Sequence, residues 1–168
     1  VRSSAASDVY KRQDFALALL REAKKRHIHT TIETCGHYPT DVLDQACRVL
    51  DALIFDIKCL DSARHKKATG VGSELILKNI GHVFEHFPEL PVLIRTPVIP
   101  GFNDTEEDIL GIREMIPRKA NIRYEALTYH RMGQPKYGYL GRRYELEGVK
   151  ADEAFMKRLN IMLKSYEK

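Results

Sequence analysis

The chain has 168 residues, of which 43% are hydrophobic and 30% charged. That is enough for one domain with a core, and it excludes a disordered or fibrous chain. No apolar run approaches the roughly 20 residues of a membrane span, and no apolar h-region marks a secretory signal. The net charge of +4, with the two signs interleaved, argues against a nucleic-acid partner. The odd count of 3 cysteines argues against a disulfide framework and for the reducing cytoplasm.

Val1 to Gln13 shows little apolar periodicity, and Asp8-Val9-Tyr10-Lys11-Arg12-Gln13 resembles an in-frame translation of a transposase adapter used in sequencing libraries. On that reading residues 1–13 are not native, and the protein continues upstream of Asp14. From Asp14 onward helical and strand patterns alternate. Phe15, Leu19 and Ala23, four apart, predict a helix over 14–26. Thr31-Ile32-Glu33-Thr34 predicts a short strand stopped by Cys35-Gly36. Thr40 is placed to cap a helix that turns Leu43, Ala46, Cys47 and Leu50 inward. Ala52 to Lys58 reads as a strand, and Gly70-Val71-Gly72 as a turn. Ser73 opens a helix with Ile76, Ile80, Val83, Phe84 and Phe87 on one face, ended by Pro88. Pro91 to Ile99 reads as a strand closed by Pro100-Gly101. Asp104 with Glu107 forms a capping-box pattern before a helix bearing Ile109, Ile112 and Ile116, which Pro117 stops. Asn121 to Thr128 is a last strand, followed by a Gly- and Tyr-rich loop over 131–148. A final helix turns Phe155, Leu159 and Met162 inward.

Strands separated by helices of about ten to fifteen residues imply βα units on a parallel sheet, an α/β architecture either open or closed into a barrel. A closed eight-stranded barrel needs about twice this length. The chain is therefore half of such a barrel, or most of a smaller, incomplete one.

In parallel βα folds, sites form at the C-terminal ends of strands. Along 52–58, Leu53, Phe55 and Ile57 share one face, suited to packing against helices. Ile54, Asp56 and Lys58 share the other, where apolar gives way to charged. An interior acid and amine two residues apart are costly unless they hold a ligand or each other, so a structural ion pair stands as the alternative. The first strand ends in Glu33-Thr34, the third carries Arg95 and the fourth runs into Tyr129-His130. A lone histidine after a strand is commonly an ordinary loop residue. Four strands each ending in a titratable group are harder to dismiss. Glu33, Asp56, Lys58, Arg95 and His130 together suit a zwitterionic ligand carrying hydroxyls and a carboxylate. Cys35, Cys47 and Cys59 match no metal-binding spacing, and Cys47 belongs on an apolar helical face. HExxH, Walker A and GxSxG patterns are absent.

Several motifs come in order: Thr31-Ile32-Glu33-Thr34-Cys35-Gly36-His37; Asp56-Ile57-Lys58; His65 with Thr69-Gly70-Val71; Ile94-Arg95-Thr96-Pro97-Val98-Ile99-Pro100-Gly101-Phe102-Asn103-Asp104; and Tyr129-His130-Arg131-Met132-Gly133 with Lys136-Tyr137 and Leu140-Gly141. Together, over about 14–165, they resemble the C-terminal two-thirds of a glycyl-radical-enzyme activating enzyme. That is a radical S-adenosylmethionine protein of the pyruvate formate-lyase activating enzyme family. The stretch from Arg95 to Gly101 resembles relatives serving dehydratases, decarboxylases and C–N lyases more than the pyruvate formate-lyase branch.

The resemblance implies an incomplete (β/α)6 barrel, here reduced to about its last four βα units over 14–168. It implies that Asp56, Ile57 and Lys58 hold the ribose and methionyl portion of S-adenosylmethionine and that His130 contacts its nucleoside. It makes Arg95 a mouth residue near the cofactor and the bound glycine loop. Glu33, Thr34, Asp56 and the backbone of Ile54 match a monovalent-cation site. The implied cofactors are S-adenosylmethionine and a 4Fe–4S cluster. The implied partners are a glycyl radical enzyme and a flavodoxin- or ferredoxin-type electron donor, with no nucleic acid and no membrane. In that chemistry the reduced cluster gives one electron to S-adenosylmethionine, releasing methionine and a 5′-deoxyadenosyl radical that takes hydrogen from a glycine of the partner. The family's CxxxCxxC cluster motif and Gly-Gly-Glu strand are absent from these 168 residues. The chain is therefore expected to be inactive as it stands, its residues supplying positioning rather than proton transfer. Two other readings compete. One is a lyase barrel with a Schiff base on Lys58 and Asp56 as acid or base. The other is a non-catalytic nucleotide-binding α/β module.

Overall fold

The computed structural model describes residues 12–166. The adapter-like segment lies outside the described residues except for Arg12 and Gln13.

In chain order the elements are α1 (Gln13–Lys25), β1 (Thr31–Thr34), α2 (Thr40–Cys47), β2 (Ala52–Asp56), α3 (Ser62–Thr69), α4 (Glu74–His86), β3 (Val92–Val98), α5 (Glu106–Met115), β4 (Ile122–Thr128), α6 (Gln134–Tyr139) and α7 (Glu153–Ser165). The strands form one parallel sheet in the order β1-β2-β3-β4. Its register sets Glu33 opposite Ile54, Asp56 opposite Arg95, and Arg95 opposite Glu125.

Alternation decides which face is covered. Leu53, Phe55, Val92, Ile94, Thr96, Val98 and Tyr124 are buried, whereas Ile54, Asp56, Leu93, Arg95 and Pro97 between them are half-buried. On the buried side the helices lay down apolar stripes at helical spacing: Val42, Leu43, Ala46 and Cys47; Ile76, Ile80 and Val83; Ile109 and Ile112; Phe155, Met156, Leu159 and Leu163. Each fully buried Leu, Ile or Val contributes about 1.5–3 kcal/mol relative to exposure. The opposite face carries the charged strand ends.

The four strands and the main helices fall where the sequence periodicity sets them, and the local departures have physical causes. Helix α1 carries two apolar stripes, and the core takes Leu17 and Leu20, leaving Phe15 67% and Leu19 59% exposed. Thr40 is the first helical residue rather than a cap; Pro39 is the N-cap, and the Thr40 hydroxyl donates to Asn79 Oδ1 at 2.7 Å. The cap of α5 is Thr105, not Asp104, its hydroxyl accepting from Asp108 N–H at 3.1 Å. Ser73 flanks α4 without capping it, because its hydroxyl donates to the Leu60 carbonyl. In α7 it is Leu163 that is buried and Met162 half-buried. Two helices have no apolar signature to reveal them: α3 buries only His65, and α6 buries nothing. Gly70 ends α3 in the left-handed conformation at φ 87°. Gly36, at φ 66°, lies so close to the Phe55 ring that a Cβ there would sit 2.3 Å from it.

Candidate functional site

The site begins with the alternation of β2, which puts Asp56 and then Lys58 on the uncovered face just as the strand ends. Two buried side chains fix the backbone there. The Thr96 hydroxyl donates to the Ile57 carbonyl at 2.7 Å. The Asn103 amide donates to the carbonyls of Lys58 (2.7 Å) and Pro97 (2.9 Å), and its oxygen accepts from Ile99 N–H at 2.7 Å. One fully buried amide thus ties the loop after β2 to the loop after β3, satisfying three backbone groups that burial would otherwise leave unpaired.

On this frame four charges meet. Asp56 Oδ1 accepts from Arg95 Nη2 at 3.3 Å and Nε at 3.4 Å, while Oδ2 accepts from Lys58 Nζ at 3.3 Å. Arg95 also pairs with Glu33 across β2. The side chains of Asp56, Lys58 and Arg95 are about one-fifth exposed, that of Glu33 over half. Two carboxylates and two cations cancel, so the group tolerates partial desolvation that a lone charge would not. Chemically it can exchange internal partners for a ligand's: Lys58 and Arg95 for a carboxylate, Asp56 and Glu33 for an ammonium or hydroxyls. A zwitterion carrying a diol fits that donor set.

The remaining sequence-derived candidates divide. Ile54 lies on the same face, half-buried. The Thr34 side chain lies on the helix-covered face, its hydroxyl accepting from Gly36 N–H at 3.0 Å. Ile57 is fully buried on that side too, its N–H donating to the Arg95 carbonyl and its own carbonyl accepting from Thr96. His130 follows β4 at the same end of the sheet, is exposed, and joins none of the hydrogen bonds or ion pairs of the four charges. Glu125, opposite Arg95 on the exposed side of β4, escaped the sequence reading. The alternation of Arg123 and Glu125 with Ile122 and Tyr124 was its signal. His65 is scaffolding: buried, with Nδ1 2.7 Å from the Val71 carbonyl, it closes the turn after α3.

No group of three His, Cys, Asp or Glu side chains among the described residues could hold a metal ion. Cys47 and Cys59 are buried, and burial pushes the Cys47 thiol up to about 12 and raises that of Cys59. These residues do not fit a 4Fe–4S cluster, which needs accessible thiolates close together. Nor, among the described residues, is any helix long and apolar enough to cross a membrane.

No family model matches the chain. It is 99% identical over 155 residues to the (2S)-3-sulfopropanediol sulfolyase activating enzyme of Bilophila wadsworthia, an alignment covering 92% of this chain and 51% of that protein. Identity to the isethionate sulfite-lyase activating enzyme of Nitratidesulfovibrio vulgaris is 46% over 149 residues, 89% of this chain and 48% of that one. To the choline trimethylamine-lyase activating enzyme of Oleidesulfovibrio alaskensis it is 35% over 165 residues, 95% and 53% of the two chains. The chain spans about half the length of the curated relatives it matches. Among solved structures, a domain of pyruvate-formate lyase-activating enzyme from Bacteroides vulgatus superposes with a TM-score of 0.69 at 24% identity, covering 91% of this chain and 86% of that one. Coproporphyrinogen III oxidase from Escherichia coli, a radical SAM enzyme, superposes with a TM-score of 0.61 at 14% identity, covering 94% and 37%. These two likenesses show the fold, a partial α/β barrel with parallel strands. Over its aligned residues, the chain is similar to activating enzymes of a sulfolyase, a sulfite-lyase and a trimethylamine-lyase.

Proposed function

We propose that this chain is part of an enzyme that activates a (2S)-3-sulfopropanediol sulfolyase by installing a glycyl radical on it, and that its share of the work is to hold S-adenosylmethionine. The observation that carries the proposal is Asp56 on the uncovered face, shared between Arg95 and Lys58, in a chain 99% identical over 155 residues to a protein of that name. S-adenosylmethionine, when bound, supplies the adenosyl group that takes hydrogen from the partner's glycine. Lys58 receives the methionyl carboxylate, Asp56 the ligand's hydroxyl and ammonium donors, and Arg95 lies between cofactor and glycine loop. His130 contacts the nucleoside. Ile57, with its side chain in the core, supports its two neighbours. A monovalent cation would sit between Glu33 and Asp56, where the Arg95 guanidinium now serves both carboxylates; Thr34 and Ile54 would add only backbone oxygens.

A 4Fe–4S cluster would have to be ligated outside the described residues, and residues 14–168 would be the barrel portion that faces it. A flavodoxin- or ferredoxin-type donor would reduce the complete enzyme in the cytoplasm. The deciding experiment takes the complete Bilophila wadsworthia enzyme, cluster-loaded and anaerobic, and mixes it with S-adenosylmethionine, reductant and the sulfolyase. Release of 5′-deoxyadenosine and a glycyl radical in the electron paramagnetic resonance spectrum are expected, both lost in Asp56→Ala. A loaded enzyme that cleaves no cofactor and leaves no radical on the sulfolyase would refute the reading.

A further inference from the structure

The segment after β4 is more exposed than its composition warrants. Tyr139 is 87% exposed, Met132 79% and Leu140 66%, the first two being the most exposed large apolar side chains among the described residues. Helix α6 buries none of its 6 residues, and a helix that short has no stability of its own. What holds it is the Tyr137 ring, edge-on to Tyr144 at 4.9 Å, with the Tyr144 hydroxyl hydrogen-bonded to that of Tyr129. A Cβ added at Gly133, Gly138 or Gly141 would meet nothing within 4 Å, so the space around the segment is open. Residues 131–143 also carry Arg131, Lys136, Arg142 and Arg143, all exposed, and no carboxylate. The segment leaves the sheet at the C-terminal end of β4, three residues beyond the level at which Asp56, Arg95 and Glu125 stand in register.

We infer that residues 131–143 dock the protein partner of the activation reaction, with Met132, Tyr139 and Leu140 as apolar anchors and Arg131, Lys136, Arg142 and Arg143 facing an acidic rim on that partner. The inference rests on the function proposed above, because a macromolecular substrate needs a docking surface beside the site. Exposed apolar patches mark interaction surfaces. Aromatic residues, methionine and arginine, which this segment carries together, are enriched at protein interfaces. Opposite charge at the rim speeds encounter more than it deepens affinity. The position supplies the choice of partner: a glycine brought to Asp56 and Arg95 must arrive with its parent protein at this end of the sheet.

The test uses the complete Bilophila wadsworthia enzyme, with positions numbered as here. Met132→Ser, Tyr139→Ser and Leu140→Ser are combined in one variant, and Lys136→Glu with Arg142→Glu in a second. Sulfolyase binding is followed by interferometry, S-adenosylmethionine binding by calorimetry, and unfolding by a thermal scan. The serine variant should lose at least about tenfold in sulfolyase affinity, the loss of one good anchor, with cofactor affinity and unfolding temperature unchanged. The charge reversal should slow association and flatten its salt dependence. Sulfolyase affinity within about twofold of wild type in the serine variant overturns the inference. So does a drop in unfolding temperature with undiminished sulfolyase binding, which would place these side chains under another part of the enzyme. If the serine variant fails to fold, the charge reversal decides: an association rate unchanged from wild type overturns the inference. A wild-type enzyme that cleaves S-adenosylmethionine yet never binds the sulfolyase would overturn this inference together with the choice of partner, while leaving the cofactor role of Asp56 and Lys58 intact.

Discussion

Lys58 reaches Asp56 from two residues away on the same face, so its charge is positioned before any ligand arrives. In the complete enzyme Lys58→Ala should weaken S-adenosylmethionine binding by about 1.5–3 kcal/mol, roughly ten- to a hundredfold, since a carboxylate loses its charged donor. Unchanged affinity by calorimetry would remove Lys58 from the site. His130→Ala should lower both cofactor affinity and 5′-deoxyadenosine release while leaving iron content untouched. Were His130 only a surface loop residue, the change would stay within about 0.5 kcal/mol. A third residue governs acid behaviour. Asp51 accepts from Lys24 and from Thr30 N–H (2.8 Å) and hydroxyl (3.0 Å). The Lys24 ammonium, then those Thr30 donors, hold its carboxyl well below the usual carboxylate range. A folded-state value below the unfolded one contributes stability that is present above about pH 4 and lost as pH falls through the folded value. Asp51→Asn should therefore be less stable than wild type at pH 7 in urea titrations, and the gap should close only below about pH 4. A gap independent of pH would assign the loss to geometry instead. Glu33, Asp56, Lys58 and Arg95 were legible in the sequence because strand alternation alone sets their side. So was the inward turn of Ile57, which shares the packing face of β2 with Leu53 and Phe55. Thr34 was not: a motif names residues without naming the face each one takes, and its side chain turns inward to the core.

Asn103 does more at the level of whole elements than any residue of the charged group, because it binds the exits of β2 and β3 together. Asn103→Ala removes the partners of Lys58 C=O, Pro97 C=O and Ile99 N–H at once. It should cost at least about 3 kcal/mol in chemical denaturation of the complete enzyme, at roughly 1–3 kcal/mol for each of the buried groups left unsatisfied. A loss under about 0.5 kcal/mol would mean that water replaces the amide without penalty. The strands and core helices could be read from the chain because their periods of two and 3.6 are set by burial on one side. Helix α3 could not, for Ser62 to Thr69 forms on capping and local bonds: Asp61 accepts from Arg64 N–H at 2.7 Å and Gly70 takes the left-handed exit. The inward side of α1 is likewise not set by its own sequence: two stripes fit the same helix, and only the neighbours choose between them.

For the molecule as a whole, the uncovered face is a liability as well as a site. Within the described residues β1 and β4 each pair with a single strand, so both edges of the sheet are open, and Phe15, Leu19 and Ile28 stand more than half exposed. Such features favour edge-to-edge association. The 168-residue chain by itself should be at most marginally stable and prone to aggregate; a monomer with a cooperative, high-temperature melt would contradict this. The strand order has a consequence for assembly. Because each strand pairs with the next one in sequence, every ladder closes over a single βα crossover. Paired positions lie 21, 39 and 30 residues apart in the three ladders, so the loop-closure entropy is met one crossover at a time. The sheet should therefore grow by accretion, with amide hydrogens exchanging slowest in β2 and β3 and progressively faster toward either rim. Tension applied to the two ends of the chain in an optical trap should peel off one crossover at a time rather than rupture the sheet in a single step.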